Sequence, residues 1–208
     1  MSSAGGITPQ FTMPAEVFPG VSNDFVKLNQ KYYNDIPDDI KKLLDDKGVE
    51  FQIGKKVTQV KPELKGVHPR GWPSGTTWDS CEGLYDGNNR KVVSCETSRP
   101  IGKKTFVKNA RVEGVFKHET GHALDVALDG FSETQEFKNA WAKDVRLIPK
   151  NQKRRYNYFI QKGRSSAGRK ETFADVFSEL IGNAENKNFA TKNAFPNATK
   201  VIKSKLGL

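Results

Sequence analysis

Apolar residues recur at helical spacing in two separate segments of the chain, residues 110–128 and 170–183. Gly130 follows the last apolar position of the first segment, where glycine commonly ends a helix. Each segment therefore predicts an amphipathic helix that packs one side against a core. The apolar positions are Val112, Val115, Phe116, Ala123, Leu124, Val126, Ala127 and Leu128 in the first helix, and Phe173, Ala174, Val176, Phe177, Leu180 and Ile181 in the second.

The first half of the chain predicts a mixed α+β lobe. A helix over residues 37–46 leads into a strand over residues 49–53, and the turn-rich residues 86–89 between two strand-like runs favour a hairpin. We expect the strands between Val49 and Phe106 to form a small mixed sheet that packs on the first long helix. This N-terminal lobe would span about residues 23–130.

The second half of the chain, about residues 131–208, predicts a helical lobe. At 208 residues the chain is long enough for one domain with a real core, so we expect residues 23–208 to form a single domain with a cleft between its lobes. Residues 1–22 are rich in proline, glycine and serine and predict a flexible lead-in. The helices expected in the C-terminal lobe cover residues 131–147, 151–161, 170–183 and 196–206.

Five residues in the first helix read His118-Glu119-Thr120-Gly121-His122, which is the H-E-x-x-H pattern of zinc peptidases. Residues four apart share one face of a helix, so both imidazoles can bind one metal ion. Glu119 can then serve as the general base for a water molecule. Two of the chain's three histidines take part, which makes a chance match rare. The alternative is a helix with two surface histidines and a glutamate.

Catalytic zinc sites usually have three protein ligands, so a third ligand is expected. Glu171, at the start of the second helix, would complete a His-His-Glu set, and Asp175 would hydrogen-bond the distal nitrogen of one histidine. The alternative role for Glu171 is an acidic residue favoured by the helix dipole. Asp125, near His122, either orients a ligand or is a solvated aspartate. His68, in a loop upstream, is the weaker candidate ligand.

The pairing of residues 118–125 with residues 171–177 resembles the catalytic domain of anthrax lethal factor and the small secreted Pro-Pro endopeptidases of clostridia and bacilli. The resemblance extends over about residues 24–208. It implies a zincin-like, two-lobed metallopeptidase of the gluzincin type, in which Glu171 is the third zinc ligand and Asp175 its companion carboxylate. By analogy with such peptidases, the strand over residues 90–95 is expected to be the sheet edge that pairs with extended substrate.

One departure from this family concerns the group that stabilises the oxyanion. Family members place a tyrosine about two helical turns before the third ligand. Residues 162–168 of this chain contain no tyrosine. Arg164, Tyr158 and Tyr156 are therefore the candidates for this role.

Cys81 and Cys95 stand at equal distances from Asn88 in the expected hairpin. If the loop is centred on Asn88, the two sulfur atoms face each other and can form a disulfide, which would indicate export. A loop that differs by one residue would offset the cysteines. Free buried thiols are the alternative.

The net charge is +10, and the densest basic stretches, residues 150–155 and 162–170, lead up to the second helix. This distribution is compatible with an acidic substrate or an anionic surface. Nucleic-acid binding is a competing interpretation, but no recognised binding motif accompanies the charge. A solvated basic face that serves solubility is the simplest interpretation.

These features together predict a metalloendopeptidase that binds one Zn²⁺ and hydrolyses peptide bonds of a protein substrate. We expect a monomer without a specific nucleic-acid partner or a membrane span, because no apolar run has the necessary length. Residues 1–7 lack the features of a secretion signal. A bacterial protease or toxin effector, secreted after trimming or delivered to a target cell, is expected, with a cytoplasmic location as the alternative. The competing functions are a degenerate zinc-peptidase-like binding module with a basic face for an anionic partner, and hydrolysis of a non-peptide amide such as peptidoglycan.

Overall fold

Four short strands form a mixed sheet, and two further strands form a separate ribbon. The computed structural model describes residues 12–69, 72–183 and 190–208. The strands are β1 (Ala15–Val17), β2 (Glu50–Gly54), β3 (Gly83–Asp86), β4 (Lys91–Cys95), β5 (Thr97–Ser98) and β6 (Val107–Lys108). The sheet has the order β1-β2-β4-β3, in which β1, β2 and β4 are parallel and β3 is antiparallel to β4. The ribbon consists of β5 and β6.

The helices flank the sheet and form most of the second half of the chain. Ser22 caps the first helix, since its hydroxyl accepts a hydrogen bond from the Phe25 N–H. The helices are α1 (Asn23–Asn34), α2 (Asp38–Asp46), α3 (Val57–Val60), α4 (Val112–Ala127), α5 (Gln135–Leu147), α6 (Asn157–Ile160), α7 (Ser165–Leu180), α8 (Thr191–Ala194) and α9 (Pro196–Leu206).

Strand β2 is covered on both faces, and its residues are buried from Phe51 to Gly54. On one face Phe51 stacks on Phe116 of α4, with ring centroids 5.5 Å apart. On the other face a smaller apolar cluster joins Val57 of α3 to Val93 and Leu84. The sheet is therefore held between α4 and α3, and α4 is fixed against its inner face.

The strand expected to form the sheet edge lies instead in the interior. Strand β4 pairs with β2 on one side and with β3 on the other. The edge strands are β1 and β3, so the expectation for residues 90–95 is wrong. The sequence pattern marks a strand, but it does not say which strands lie beside it.

The expected flexible lead-in ends earlier than residue 22. Residues 15–17 form strand β1, and the preceding Met13 is buried in the main core. Backbone hydrogen bonds from Phe51 N–H to Pro14 O and from Phe18 N–H to Ile53 O hold this segment along β2. Five residues separate the end of β1 from the start of helix α1. The rest of the expected lead-in, residues 1–11, lies outside the described residues.

The helix expected over residues 151–161 is largely absent. Residues 150–152 form a single 3-10 turn, and helix occurs only in α6. Residues 150–155 are all exposed and contain no apolar side chain that could be packed, so a short helix there gains no tertiary support. The helix expected from residue 131 begins with a 3-10 turn before α5, and α7 begins five residues earlier than predicted.

The mixed sheet and the helical second half confirm the predicted α+β class. Helix α9 begins and ends where the sequence predicted. Among the described residues, no helix has both the length and the apolarity that a membrane crossing requires.

Candidate metal centre

His118, His122 and Glu171 bring three donor atoms to one point between α4 and α7. The Nε2 atoms of His118 and His122 lie 3.1 Å apart. The Oε2 atom of Glu171 lies 3.1 Å from the first nitrogen and 3.3 Å from the second. A tetrahedral zinc site with bonds of about 2.0–2.1 Å requires ligand atoms about 3.3 Å apart. The three distances therefore match the edges of a zinc coordination tetrahedron.

Close packing of α4 against α7 makes this convergence possible. A Cβ atom added to Gly121 would lie 2.7 Å from the Cα and 2.8 Å from the carbonyl oxygen of Ala174. Only a glycine lets the two backbones approach so closely. Gly121 stands between the two histidines of α4, and Ala174 lies three residues after Glu171 on α7. The glycine in the motif thus sets the separation of the ligands.

We expect Gly121→Ala to destabilise the protein by about 2 kcal/mol, because the added methyl group must push the two backbones apart. The same displacement would separate Glu171 from the histidines and weaken zinc binding. Chemical denaturation and zinc competition with a chelator measure the two effects. Gly87→Ala is the control, since a Cβ there meets only the Tyr85 ring at 3.6 Å. Unchanged zinc affinity in Gly121→Ala would contradict this role.

Carboxylates around the two imidazoles favour a positive charge at the centre. Burial lowers the pKa of His118, but hydrogen bonds with Asp175 and Glu171 and the charge of Glu119 raise it well above the ordinary value. Burial also raises the pKa of Glu171, but hydrogen bonds and charge from His118 and His122 hold it below its usual range. A cation suits this surrounding, and the two-histidine, one-glutamate donor set is that of a catalytic zinc site.

Asp175 lies behind His118, as the sequence spacing predicted. Its Oδ1 atom is 3.4 Å from Nδ1 of His118. Its Oδ2 atom accepts a hydrogen bond of 2.5 Å from the hydroxyl of Thr191, the first residue of α8. A carboxylate on the distal nitrogen fixes the tautomer and the ring orientation of a ligating histidine. Nothing in the sequence pattern pointed to Thr191, because it is twenty residues from Glu171.

Glu119 lies between the ligand cluster and the sheet edge. Burial raises the pKa of its carboxyl group, which also accepts a hydrogen bond from the backbone N–H of Tyr85 in β3. The neighbouring Gly83 leaves no room for a side chain, since an added Cβ would lie 2.6 Å from Val115 and from the Val93 carbonyl oxygen. The edge strand and the motif helix are therefore in direct contact beside Glu119.

The three candidates for an oxyanion stabiliser have different positions. The hydroxyl of Tyr158 donates a hydrogen bond of 2.6 Å to Oε2 of Glu171, and so lies at the cluster. Tyr156 is instead buried, with its ring against Phe195 in the main core. Arg164 precedes α7 and is exposed, and its side chain makes no hydrogen bond or ion pair to another described residue. The structure thus favours Tyr158 and does not support the other two. Tyr158 lies in α6, and the turn between α6 and α7 brings it next to Glu171, which linear spacing did not reveal.

Asp125 has neither of its expected roles. Its two carboxylate oxygens accept hydrogen bonds from the backbone N–H of Ser132, at 2.7 Å, and from the Ser132 hydroxyl, at 2.6 Å. The side chain is buried, and it forms no ion pair with His118 or His122 in the part of the chain that the structure describes. Asp125 therefore fixes the 3-10 turn that follows α4.

Cys81 and Cys95 are free thiols, and both are buried. Gly83 pairs with Ser94, so the hairpin loop is centred between residues 88 and 89 and not on residue 88. Cys95 donates its backbone N–H to the carbonyl of Glu82 and thus lies one position away from Cys81. Of the two alternatives, the structure has the free buried thiols, because the loop is one residue longer than a loop centred on Asn88. Burial raises the pKa of Cys81 to about 12.

The third histidine takes no part in the cluster. Nδ1 of His68 lies 3.0 Å from the carbonyl oxygen of Thr76, in the loop before β3. This position agrees with the prediction that His68 is the weaker candidate for a metal ligand. The described residues thus place His118, His122, Glu119, Glu171, Asp175 and Tyr158 in one site.

No protein-family profile matches the sequence, and no curated protein matches it. Among solved structures, the Pro-Pro endopeptidase PPEP-2 from Paenibacillus alvei is similar, with a TM-score of 0.63 and 26% sequence identity. The match covers 93% of this chain and 97% of that chain. Because it extends over nearly all of both chains, the fold is like that of a Pro-Pro endopeptidase, and the predicted zincin-like class is confirmed. The likeness to the lethal factor catalytic domain stays a prediction.

Proposed function

We propose that this chain is a zinc-dependent metalloendopeptidase of the gluzincin type. The observation that carries the proposal is the tetrahedral spacing of the donor atoms of His118, His122 and Glu171, with Glu119 beside them on the same helix. The similarity to the endopeptidase PPEP-2 supports the same class of reaction. The intact Glu119 counts against a purely structural zinc site, which needs no base.

A zinc ion held by His118, His122 and Glu171 would supply Lewis-acid chemistry, which polarises a carbonyl group and lowers the pKa of water. Glu119 takes a proton from the attacking water, and the water oxygen bonds to the scissile carbonyl carbon. Glu119 then delivers this proton to the leaving amine as the carbon–nitrogen bond breaks. The products are a free carboxyl group and a free amine, and the reaction consumes one water molecule.

The outer edge of β3 is where we place the extended substrate. The backbone N–H of Cys95 donates a hydrogen bond to the carbonyl of Glu82, so Glu82 faces β4. In an antiparallel strand, every second residue directs its backbone groups to the same neighbouring strand. Gly83 and Tyr85 therefore direct their backbone groups away from β4. The Tyr85 N–H meets the Glu119 carboxylate on that side. A peptide paired with this edge would pass directly beside Glu119, by addition of a strand to the sheet.

Tyr158 is the proposed electrophilic partner of Glu119. Burial of its hydroxyl group and the charge of Glu171 raise its pKa well above the ordinary value, so the group stays a hydrogen-bond donor. Tyr158 as a whole residue is 52% exposed, and its hydroxyl donates a hydrogen bond to the ligand oxygen of Glu171. A donor in this position can bind the oxygen that gains negative charge during attack.

We expect Tyr158→Phe to lower the rate of peptide cleavage by about 100-fold, because one donor to the developing oxyanion is lost. One zinc ion per chain should remain bound, since the phenol is not a ligand. Steady-state cleavage of a fluorogenic peptide and metal analysis measure the two quantities. Tyr156→Phe is the matched control, two residues away and in the core, and should cleave at the wild-type rate. Wild-type activity in Tyr158→Phe would show that Tyr158 does not stabilise the oxyanion.

The experiment that tests the proposed function is exposure of a diverse peptide library to the purified protein, with products identified by mass spectrometry. The library should include peptides with consecutive prolines, because a Pro-Pro endopeptidase has the same fold. Peptide cuts that depend on zinc would support the proposal. Zinc-loaded protein that cuts no peptide, but binds an anionic partner in a salt-dependent manner, would instead support the binding-module alternative.

The proposal extends to a single domain of residues 23–208 that acts as a monomer. A bacterial protease, secreted or delivered to a target cell, is the biological setting we propose. Its support is the resemblance of residues 118–125 and 171–177 to secreted endopeptidases. Detection of the protein in culture supernatant by mass spectrometry would test the location.

A further inference from the structure

We propose that Thr191 is a positioning residue for the metal centre and acts on His118 through Asp175. The inference rests on the proposed zinc site. Thr191 is completely buried at the start of α8, and Asp175 is 7% exposed. The Thr191 hydroxyl donates to Oδ2 of Asp175 at 2.5 Å, while Oδ1 of the same carboxylate faces Nδ1 of His118 at 3.4 Å.

The two oxygens of Asp175 thus have separate partners. A carboxylate with one oxygen tied to Thr191 cannot rotate freely about its Cβ–Cγ bond. The other oxygen is then held toward the ring N–H of His118. That contact selects the tautomer of His118 that leaves Nε2 with its lone pair toward Glu171 and His122.

Thr191 is itself fixed by a second carboxylate of α7. Its backbone N–H donates to Oε1 of Glu179 at 2.6 Å, and the Lys192 N–H donates to Oε2 at 3.2 Å. Asp175 and Glu179 are four residues apart and share one face of α7. The pair holds the start of α8 against the helix that carries Glu171. The short helix α8, which is remote in sequence, therefore helps to hold the ligand His118 in place.

Thr191→Val removes the hydroxyl and nearly keeps the shape. We expect the zinc affinity, measured by competition with a chromophoric chelator, to fall on the order of ten-fold, the lower end of the range for outer-shell partners. Thr191→Ser keeps the hydroxyl and should restore wild-type affinity. Thr58→Val is the matched control, because Thr58 is also buried and donates to Asp79 at 2.5 Å, in the other lobe. It should leave zinc affinity unchanged.

A double-mutant cycle separates positioning from a general loss of stability. If Thr191 acts through Asp175, Thr191→Val should add little to the loss caused by Asp175→Asn. The absorption spectrum of the cobalt-substituted protein should change in Thr191→Val and not in Thr58→Val. If Thr191→Val does not fold, Thr191→Ala replaces it, with the same expected loss of zinc affinity and the same spectral change.

Wild-type zinc affinity in a folded Thr191→Val protein, or fully additive losses in the cycle, would overturn the inference. In that case wild-type protein would still bind one zinc ion and cleave peptides. A wild-type protein that binds no zinc would instead refute the proposed function, and this inference with it. The two failures are therefore distinguishable.

Discussion

Glu119→Gln will lower the rate of peptide cleavage by about a thousand-fold and leave one zinc ion bound per chain. Glutamine keeps the shape of the side chain and can still accept the hydrogen bond from the Tyr85 N–H. It cannot accept a proton from water at neutral pH, and the loss of a general base commonly costs 10²- to 10⁴-fold. Binding of substrate along β3 does not depend on this proton transfer.

Cleavage rates at saturating peptide, with zinc content measured on the same samples, test this expectation. Glu136→Gln, an exposed glutamate on α5, is the control and should be as active as the wild type. Glu119→Gln protein that cuts at more than a tenth of the wild-type rate would require another base. Loss of zinc together with activity would mean that Glu119 supports the metal and not the proton transfer.

Glu171→Gln will lower zinc affinity by at least about 100-fold, which is more than the change of an outer-shell partner costs. The Oε2 atom of Glu171 is within 3.3 Å of both histidine nitrogens, so its charge and position serve the ion directly. An amide oxygen has neither the full charge nor the same affinity for zinc. Cleavage at limiting zinc should fall in parallel.

Three variants should rank in zinc affinity by the distance of the changed residue from the ion. We expect the largest loss of zinc affinity in Glu171→Gln, a smaller loss in Asp175→Asn and the smallest in Thr191→Val, because each is one contact further from the ion. Chelator competition at fixed pH gives all three values. An Asp175→Asn protein that binds zinc more weakly than Glu171→Gln would reverse the assigned order of contacts.

Local periodicity was sufficient to predict the helices that carry the site. The H-E-x-x-H spacing places His118 and His122 on one face of α4, and the four-residue spacing places Glu171 and Asp175 on one face of α7. The structure brings these two faces together. Such features depend on helix geometry alone, and a sequence records them directly.

Contacts set by tertiary packing were harder to predict. The pairing of β4 between two other strands depends on the order of strands in the sheet, which no local pattern fixes. Tyr158 reaches Glu171 because of the path of the turn between α6 and α7, and Thr191 reaches Asp175 from another helix. A shift of one residue in the hairpin loop offsets Cys81 from Cys95, so the two thiols do not face each other.

The most direct test of the central proposal is a zinc titration of metal-free protein with peptide cleavage as the readout. We expect no cleavage without metal, a rise in rate up to one zinc ion per chain, and no such rise in Glu171→Gln over the same range. Cleavage that persists in metal-free protein, or that rises equally in Glu171→Gln, would contradict a catalytic zinc held by His118, His122 and Glu171.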